Sequence, residues 1–426
     1  MFAPRDRART ARSSNPLLRR FPKAALSARS RLLSSSVRHI SLHRKDAAER
    51  LVRGHPWVWR DAIATGLEGA AAGEEVQVVA PGGTLVGRGL ADPGSPIAVR
   101  MWTHGKEPID ARLWQARVAL AVSLRVVLVE GTGTDAYRMV HGEGDRMPGM
   151  VVDRYGIAAI VRDDGDGAAA HVSTLVDALW PIAPSLGIKS LALRTGDRGE
   201  TPCLEPLRGP PPPDSVRITE HGVPFVVDLL EGQKTGAFLD QRDNRRRVGQ
   251  LASGRRVLNL YSYAGGFSVC AALGGATHVT SVDIAPKVHA TAQANFRVAG
   301  LEPRAHAFTV ADVPGFLEGV RGQGEKWDLI ISDPPSFASS ERAKPRALAA
   351  YRALHRACAE VLAPRGLLCA ASCSSHVDAG AFLATLDDAA LGGRVLRVLE
   401  MHGAGPDHPW LAAFPEGRYL KFALLG

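Results

Sequence analysis

The second half of the chain has a regular rhythm. Apolar runs at about 256–260, 279–282, 306–310, 328–331 and 367–371 are each four or five residues long, and helical stretches separate them. Short buried strands alternating with helices predict a parallel sheet covered on both faces. Between Ile40 and about Thr103 the pattern differs. Glu75–Val79, Leu85–Arg88 and Ile97–Met101 are short and β-like, with Gly and Pro clusters between them, which predicts a small β-barrel. Residues 110–130 form a long apolar helical stretch. Arg138–Val140 and Met150–Asp153, joined by a Gly/Asp-rich turn, predict a hairpin, and a helix near 171–183 and a strand at Ser190–Leu193 complete an α+β unit. The stiff run Gly209–Pro213 reads as a linker, and Val223–Asp228 opens the last domain. The expected boundaries are a leader at 1–39, a β-barrel domain at 40–108, an α+β middle domain with linker at 109–214, and an α/β domain at 215–426.

The chemistry sits at strand ends. Leu258–Leu260 runs into Tyr261–Phe267, a turn with two adjacent glycines that lets a ligand approach the backbone. Asp283 follows Gly265 by 18 residues and ends the next strand, where an acid can bind both hydroxyls of a ribose. Ser332-Asp-Pro-Pro stops another strand, because two prolines cannot continue a central one, and leaves the Asp333 carboxylate at the carboxyl edge of the sheet. Cys373 ends a fourth strand. A free cysteine is usually a small buried hydrophobe, so alone it is only a candidate nucleophile.

Charge changes the picture less than the pI of 9.6 suggests. Residues 1–40 hold nine Arg, one Lys and a single acid, so the whole net charge of +9 sits in this leader and the remainder is neutral. An Arg- and Ser-rich, acid-poor leader matches an organelle transit peptide, a basic tail, or translated upstream sequence. The expected compartment is the cytoplasm, or an organelle if the leader is a transit peptide. No apolar run reaches the ~18 residues of a spanning helix, so no membrane partner is expected. Five scattered cysteines lack paired spacing and predict neither zinc nor disulfides.

Several longer stretches resemble the ribosomal RNA cytosine-C5 methyltransferase family, built as a PUA domain, an α+β middle domain and a Rossmann-like class I methyltransferase domain. Arg53-Gly-His-Pro-Trp57 is similar to the motif that opens the PUA domain, and Gly142–Tyr155 to the middle-domain hairpin. Gly232–Arg245 resembles the segment covering the cofactor, and Asp407–Pro409 with Pro415–Lys421 the C-terminal signature. Gln233 stands where many relatives have His, and Ala371-Ser-Cys-Ser lacks a second cysteine that some relatives carry two positions earlier.

The resemblance implies a multidomain α/β fold, S-adenosylmethionine as cofactor, and RNA, first of all ribosomal RNA, as partner; a homodimer is a further expectation. It implies Cys373 as the nucleophile at cytosine carbon 6 and Asp333 as the acceptor for the cytosine edge. Phe238, Asn259, Tyr261, Gly265, Asp283, Asp312 and Asp333 are the expected cofactor contacts, with Asp240 beside Phe238 at the methionine end. Asp312 reads equally as a helix N-cap. Arg53, Trp57, Arg242, Arg245 and Phe337 are the expected RNA contacts, Phe337 as an aromatic wall for a flipped base. The arginine cluster reads equally as a solvated helix face. Methylation at a base nitrogen, which needs no cysteine, and a non-catalytic RNA-binding role remain alternatives.

Overall fold

The computed structural model describes residues 37–196, 201–338 and 340–426; the expectations for the leader fall on 1–36, outside the described residues. Among the described residues the chain forms three sheets and a separate hairpin.

The first sheet has six strands, in the order Trp57–Trp59, Ile97–His104, Leu85–Ala91, Glu75–Val79, Arg38–Leu42, Ile63–Thr65. Only Arg38–Leu42 and Glu75–Val79 pair in parallel. Val76 and Val78 point to one face and are buried with Ile40, Val58 and Val99, the alternation expected when one side faces a core. The second sheet runs Cys203–Arg208, Ser190–Thr195, Ala158–Asp163, Met150–Tyr155, Ala136–His141. Ala111–Val129 packs on it, its start capped by the Asp110 side chain accepting from Leu113 N–H. Cys203–Arg208 is an edge strand that the sequence reading did not predict. Its exposed alternation of charged residues and proline hides it from a search for apolar periodicity.

The linker leads to a hairpin, Ser215–Glu220 with Val223–Asp228. Its inner face joins two domains. Ile218, Phe225 and Val227 share one core with Tyr155 and Ile160 of the second sheet and with Leu239 and Phe296 beyond.

The third sheet has seven strands in the order Ala307–Val310, His278–Asp283, Arg256–Leu260, Trp327–Ser332, Leu362–Ser372, Lys421–Leu425, Val398–His402. The first five are parallel, as the apolar rhythm predicts, and Lys421–Leu425 runs antiparallel to both of its neighbours. The chain steps outward from Arg256–Leu260, then returns to its other side at Trp327–Ser332. Ligands bind beyond the carboxyl ends of strands at such a switch point. The Gly turn after Leu260 and Asp333 after Ser332 flank this one. Among the described residues, no helix is long and apolar enough to cross a membrane.

Candidate active site

The turn after Leu260 is strained and held. Tyr261 has φ 57°, Tyr263 φ 45° and Gly265 φ 76°, all left-handed. Two tyrosines in that region cost of order 1 kcal/mol each and persist only where the surroundings fix them. Tyr263 N–H donates to Asp283 Oδ2 at 2.9 Å, and its hydroxyl accepts from Gln233 N–H at 2.9 Å. A Cβ at Gly265 would lie 2.8 Å from Ala292 Cβ, so helix Pro286–Val298 closes on the turn and leaves room only for glycine. Asn259 stands one step behind the edge expected for it: it is buried and donates to Ser268 Oγ at 2.9 Å, tying strand to helix under the turn.

Asp283 accepts from both Tyr263 N–H and Ala285 N–H (3.1 Å), which aims it out of the sheet edge. Asp312 accepts from Gly315 N–H as a helix N-cap and also lines a groove of about 630 Å³ with Tyr261 and Phe337. On the other side of the turn, Phe238 meets Tyr263 edge-on at 5.4 Å and carries the Lys234 ammonium 4.7 Å above its ring. Asp240 lies beneath. Its Oδ2 accepts from Lys234 Nζ and from the Tyr419 hydroxyl, both at 2.6 Å, while Oδ1 is buried without a partner. Burial pushes this carboxyl up, but the charges of Lys234 and His408 and the hydrogen bonds from Lys234 and Tyr419 together hold the group well below the usual carboxylate range.

Asp333 accepts from Gln241 Nε2 at 2.9 Å. Burial, with the negative Asp240 nearby, pushes its carboxyl up to about 7, against Lys234 and Gln241. Cys373 emerges from the neighbouring strand: Ser332 pairs with Ala370, so both chain ends leave the sheet side by side. Its thiol is partly exposed, whereas Cys270, Cys358 and Cys369 are buried. Burial pushes the Cys373 thiol up, the Asp333 carboxylate adds to this, and Lys234 opposes it. Ser374 anchors the loop through hydrogen bonds between its hydroxyl and those of Tyr351 (3.1 Å) and Ser336 (3.0 Å).

The RNA-contact expectations fare differently. Arg242 is buried in a two-pronged pair with Asp407, both bonds 3.0 Å, and Arg245 is buried against Glu220 at 2.6–2.9 Å. Neither guanidinium can reach a phosphate; both fasten the cofactor-side helix to the body. Arg247 pairs with Glu400 and Arg256 with Glu325, leaving Arg246 exposed. Trp57 is a joint: its indole N–H donates to Glu143 at 2.7 Å and its ring meets Phe414 at 4.6 Å. Arg53 is exposed at the end of helix Lys45–Val52. Phe337 packs on Tyr351 at 4.8 Å and faces the groove with Asp312. Sequence reasoning missed Lys234, Gln241 and Lys421 beside Asp333 and Cys373. Lys421 had a visible signal: a lysine opening the apolar strand Lys421–Leu425.

A switch-point crevice with a left-handed Gly turn and an acid aimed from the second strand defines an S-adenosylmethionine-dependent methyltransferase domain, here behind a PUA-like one. A profile of the S-adenosylmethionine-dependent methyltransferase family matches residues 176–414, and one of a PUA-like domain matches 42–104. The chain belongs to this methyltransferase family. It is 35% identical over 383 residues to a Klebsiella pneumoniae protein named ribosomal RNA large subunit methyltransferase I, covering 88% of this chain and 95% of that one. A protein of the same name from Aliivibrio fischeri is 36% identical over 384 residues, covering 88% and 96%. In fold, the chain is similar to a Streptococcus mutans protein provisionally assigned as a SAM-dependent methyltransferase, with a TM-score of 0.81 and 24% identity over 91% of this chain and all of that one.

The side chains present fit the cofactor. The orphaned Asp240 Oδ1 offers an acceptor for an ammonium, Phe238, Tyr261 and Tyr263 offer aromatic walls, and Asp283 offers a carboxylate at the end of the second strand.

Proposed function

We propose that this protein methylates carbon 5 of a cytosine in RNA, ribosomal RNA in particular, with Cys373 as the covalent nucleophile. The observation that carries the reading is the juxtaposition of a partly exposed thiol at one strand end with a protonatable Asp333 at the next. The names of the two relatives support ribosomal RNA as the substrate class. The domain division that goes with the reading is a PUA-like domain at 40–108, a middle domain with linker at 109–214, and the methyltransferase domain at 215–426.

Bound S-adenosylmethionine supplies an electrophilic methyl group; Asp240 and Phe238 would hold its methionine end, Asp283 its ribose and Asp312 the adenine side. The residues then do the following. Cys373 Sγ forms a bond to carbon 6, and the carbon 5–carbon 6 electron pair becomes available at carbon 5. Asp333, its carboxyl pushed up to about 7, gives its proton to N3 as the ring accepts charge. After methylation, loss of the carbon 5 proton to a base expels the thiolate, and N3 returns its proton to Asp333, which restores the neutral ring.

The test is RNA carrying 5-fluorocytosine, incubated with S-adenosylmethionine and either wild type or Cys373→Ser. Fluorine blocks the last elimination. A denaturation-stable adduct in wild type alone is the expected result. No adduct, with ordinary RNA still methylated, moves the reaction to a base nitrogen.

A further inference from the structure

We propose that Lys421 is the cation that favours the thiolate form of Cys373; the inference rests on Cys373 being the nucleophile and adds the group that activates it. Lys421 opens the last paired strand, and its cross-strand partner is Ser372, the residue before Cys373. Its ammonium is buried. Nζ donates to the carbonyl of Ser374, the residue after Cys373, at 2.6 Å and to Tyr419 O at 2.8 Å. The amine therefore straddles the cysteine loop from inside the sheet, and two of its three N–H groups are accounted for.

A buried lysine is rare unless paired, and no carboxylate hydrogen-bonds it: Asp378, the acid that acts on it, spends its own bonds on Ala381 N–H and Lys344. The charge that remains to pair with it is the Cys373 thiolate. Burial lowers the Lys421 amine to about 8, and Cys373 and Asp378 oppose that fall, so the group is still an ammonium at neutrality. The other groups facing Cys373 are Asp333 at the adjacent strand end, Asp240 and Lys234 in the loop above, and Tyr351 on helix Lys344–Val361. Two acids disfavour the thiolate there, and Lys234, committed to Asp240, only partly compensates. Lys421 supplies the missing positive charge. When the thiol ionises, its proton passes to solvent and the nearby ammonium stabilises the charge left on sulfur. Lys421 acts through Cys373 and is a positioning residue.

The test is the pH dependence of Cys373 alkylation by iodoacetamide, read on its own peptide by mass spectrometry. A Cys203→Ser background removes the exposed thiol. Lys421→Gln keeps a donor for the two carbonyls and loses the charge; Lys421→Met loses both. Both are expected to raise the pH midpoint by at least about one unit, and so to cut the reactive fraction at neutral pH about tenfold, the scale of one lost neighbouring charge in a partly buried site. A Gln variant with the wild-type midpoint overturns the proposal, because donors alone then suffice. If the Gln variant does not fold, Lys421→Arg decides: an unchanged midpoint supports the proposal, and a raised one overturns it. The 5-fluorocytosine experiment is independent. An adduct with an unshifted midpoint sinks the role of Lys421 alone, and a shifted midpoint without an adduct sinks the C5 reaction alone.

Discussion

Asp333→Asn should make the protein more stable and inactive, and the gain should depend on pH. The folded protein holds the Asp333 proton up to about 7, whereas the ordinary value is 3.8. Between those values the folded state binds more protons than the unfolded chain, so wild-type stability falls as pH rises through the window. A shift of about three units sets a ceiling of ~4 kcal/mol at 1.36 kcal/mol per unit. Asp333 is partly open to water, and it keeps the Gln241 hydrogen bond, so about 1–2 kcal/mol is the expected gain. Asparagine has the same shape, can still accept from Gln241, and never ionises. Thermal unfolding of both proteins from pH 4 to 8.5 should show coincident midpoints at the acid end. The variant should lead by roughly 2–6 °C above pH 7, a range that follows from the size of the methyltransferase domain. Methyl transfer should drop at least ~100-fold, the usual scale for a lost proton donor. A gap that does not change with pH, or a variant less stable than wild type at pH 8, would refute the account of Asp333 as a carboxyl kept neutral by its site.

Gly265→Ala forces a Cβ to 2.8 Å from Ala292 at φ 76° and should cost ~1–3 kcal/mol while weakening S-adenosylmethionine at least tenfold by calorimetric titration. Asp407→Ala strips the buried Arg242 guanidinium and the Arg138 N–H of their acceptor, so urea denaturation should register ~3–5 kcal/mol, and a loss under 1 kcal/mol would show the network to be dispensable. Trp57→Ala removes the Phe414 contact and the Glu143 bond and should cost ~3 kcal/mol; weaker RNA binding with unchanged stability would instead restore Trp57 to an RNA surface.

What the sequence conveyed well was anything written in backbone restriction or buried period. Five parallel strands follow from five apolar runs, and Asp-Pro-Pro and the Gly turn fix where the sheet ends, because proline and left-handed residues leave the chain few choices. The edge strand Val398–His402 went unread for the opposite reason: three of its residues, Val398, Leu399 and Met401, are exposed apolar groups with no face alternation to mark them. The sharper failure was charge. Arg242 and Arg245 look like a basic patch because helix periodicity says nothing about acids such as Glu220 and Asp407, which lie 25 and 165 residues away. Burying a guanidinium is tolerable only when such a partner is present, so a local cluster of arginines is as compatible with an internal clamp as with a phosphate grip. The same logic, run in reverse, exposes Lys421. A cation inside a strand must have a partner brought by the fold, and here no carboxylate bonds to it while the cysteine loop passes directly over its ammonium. For this sheet edge the informative sequence signal is a charged residue in an apolar strand, more than a run of charges on a helix.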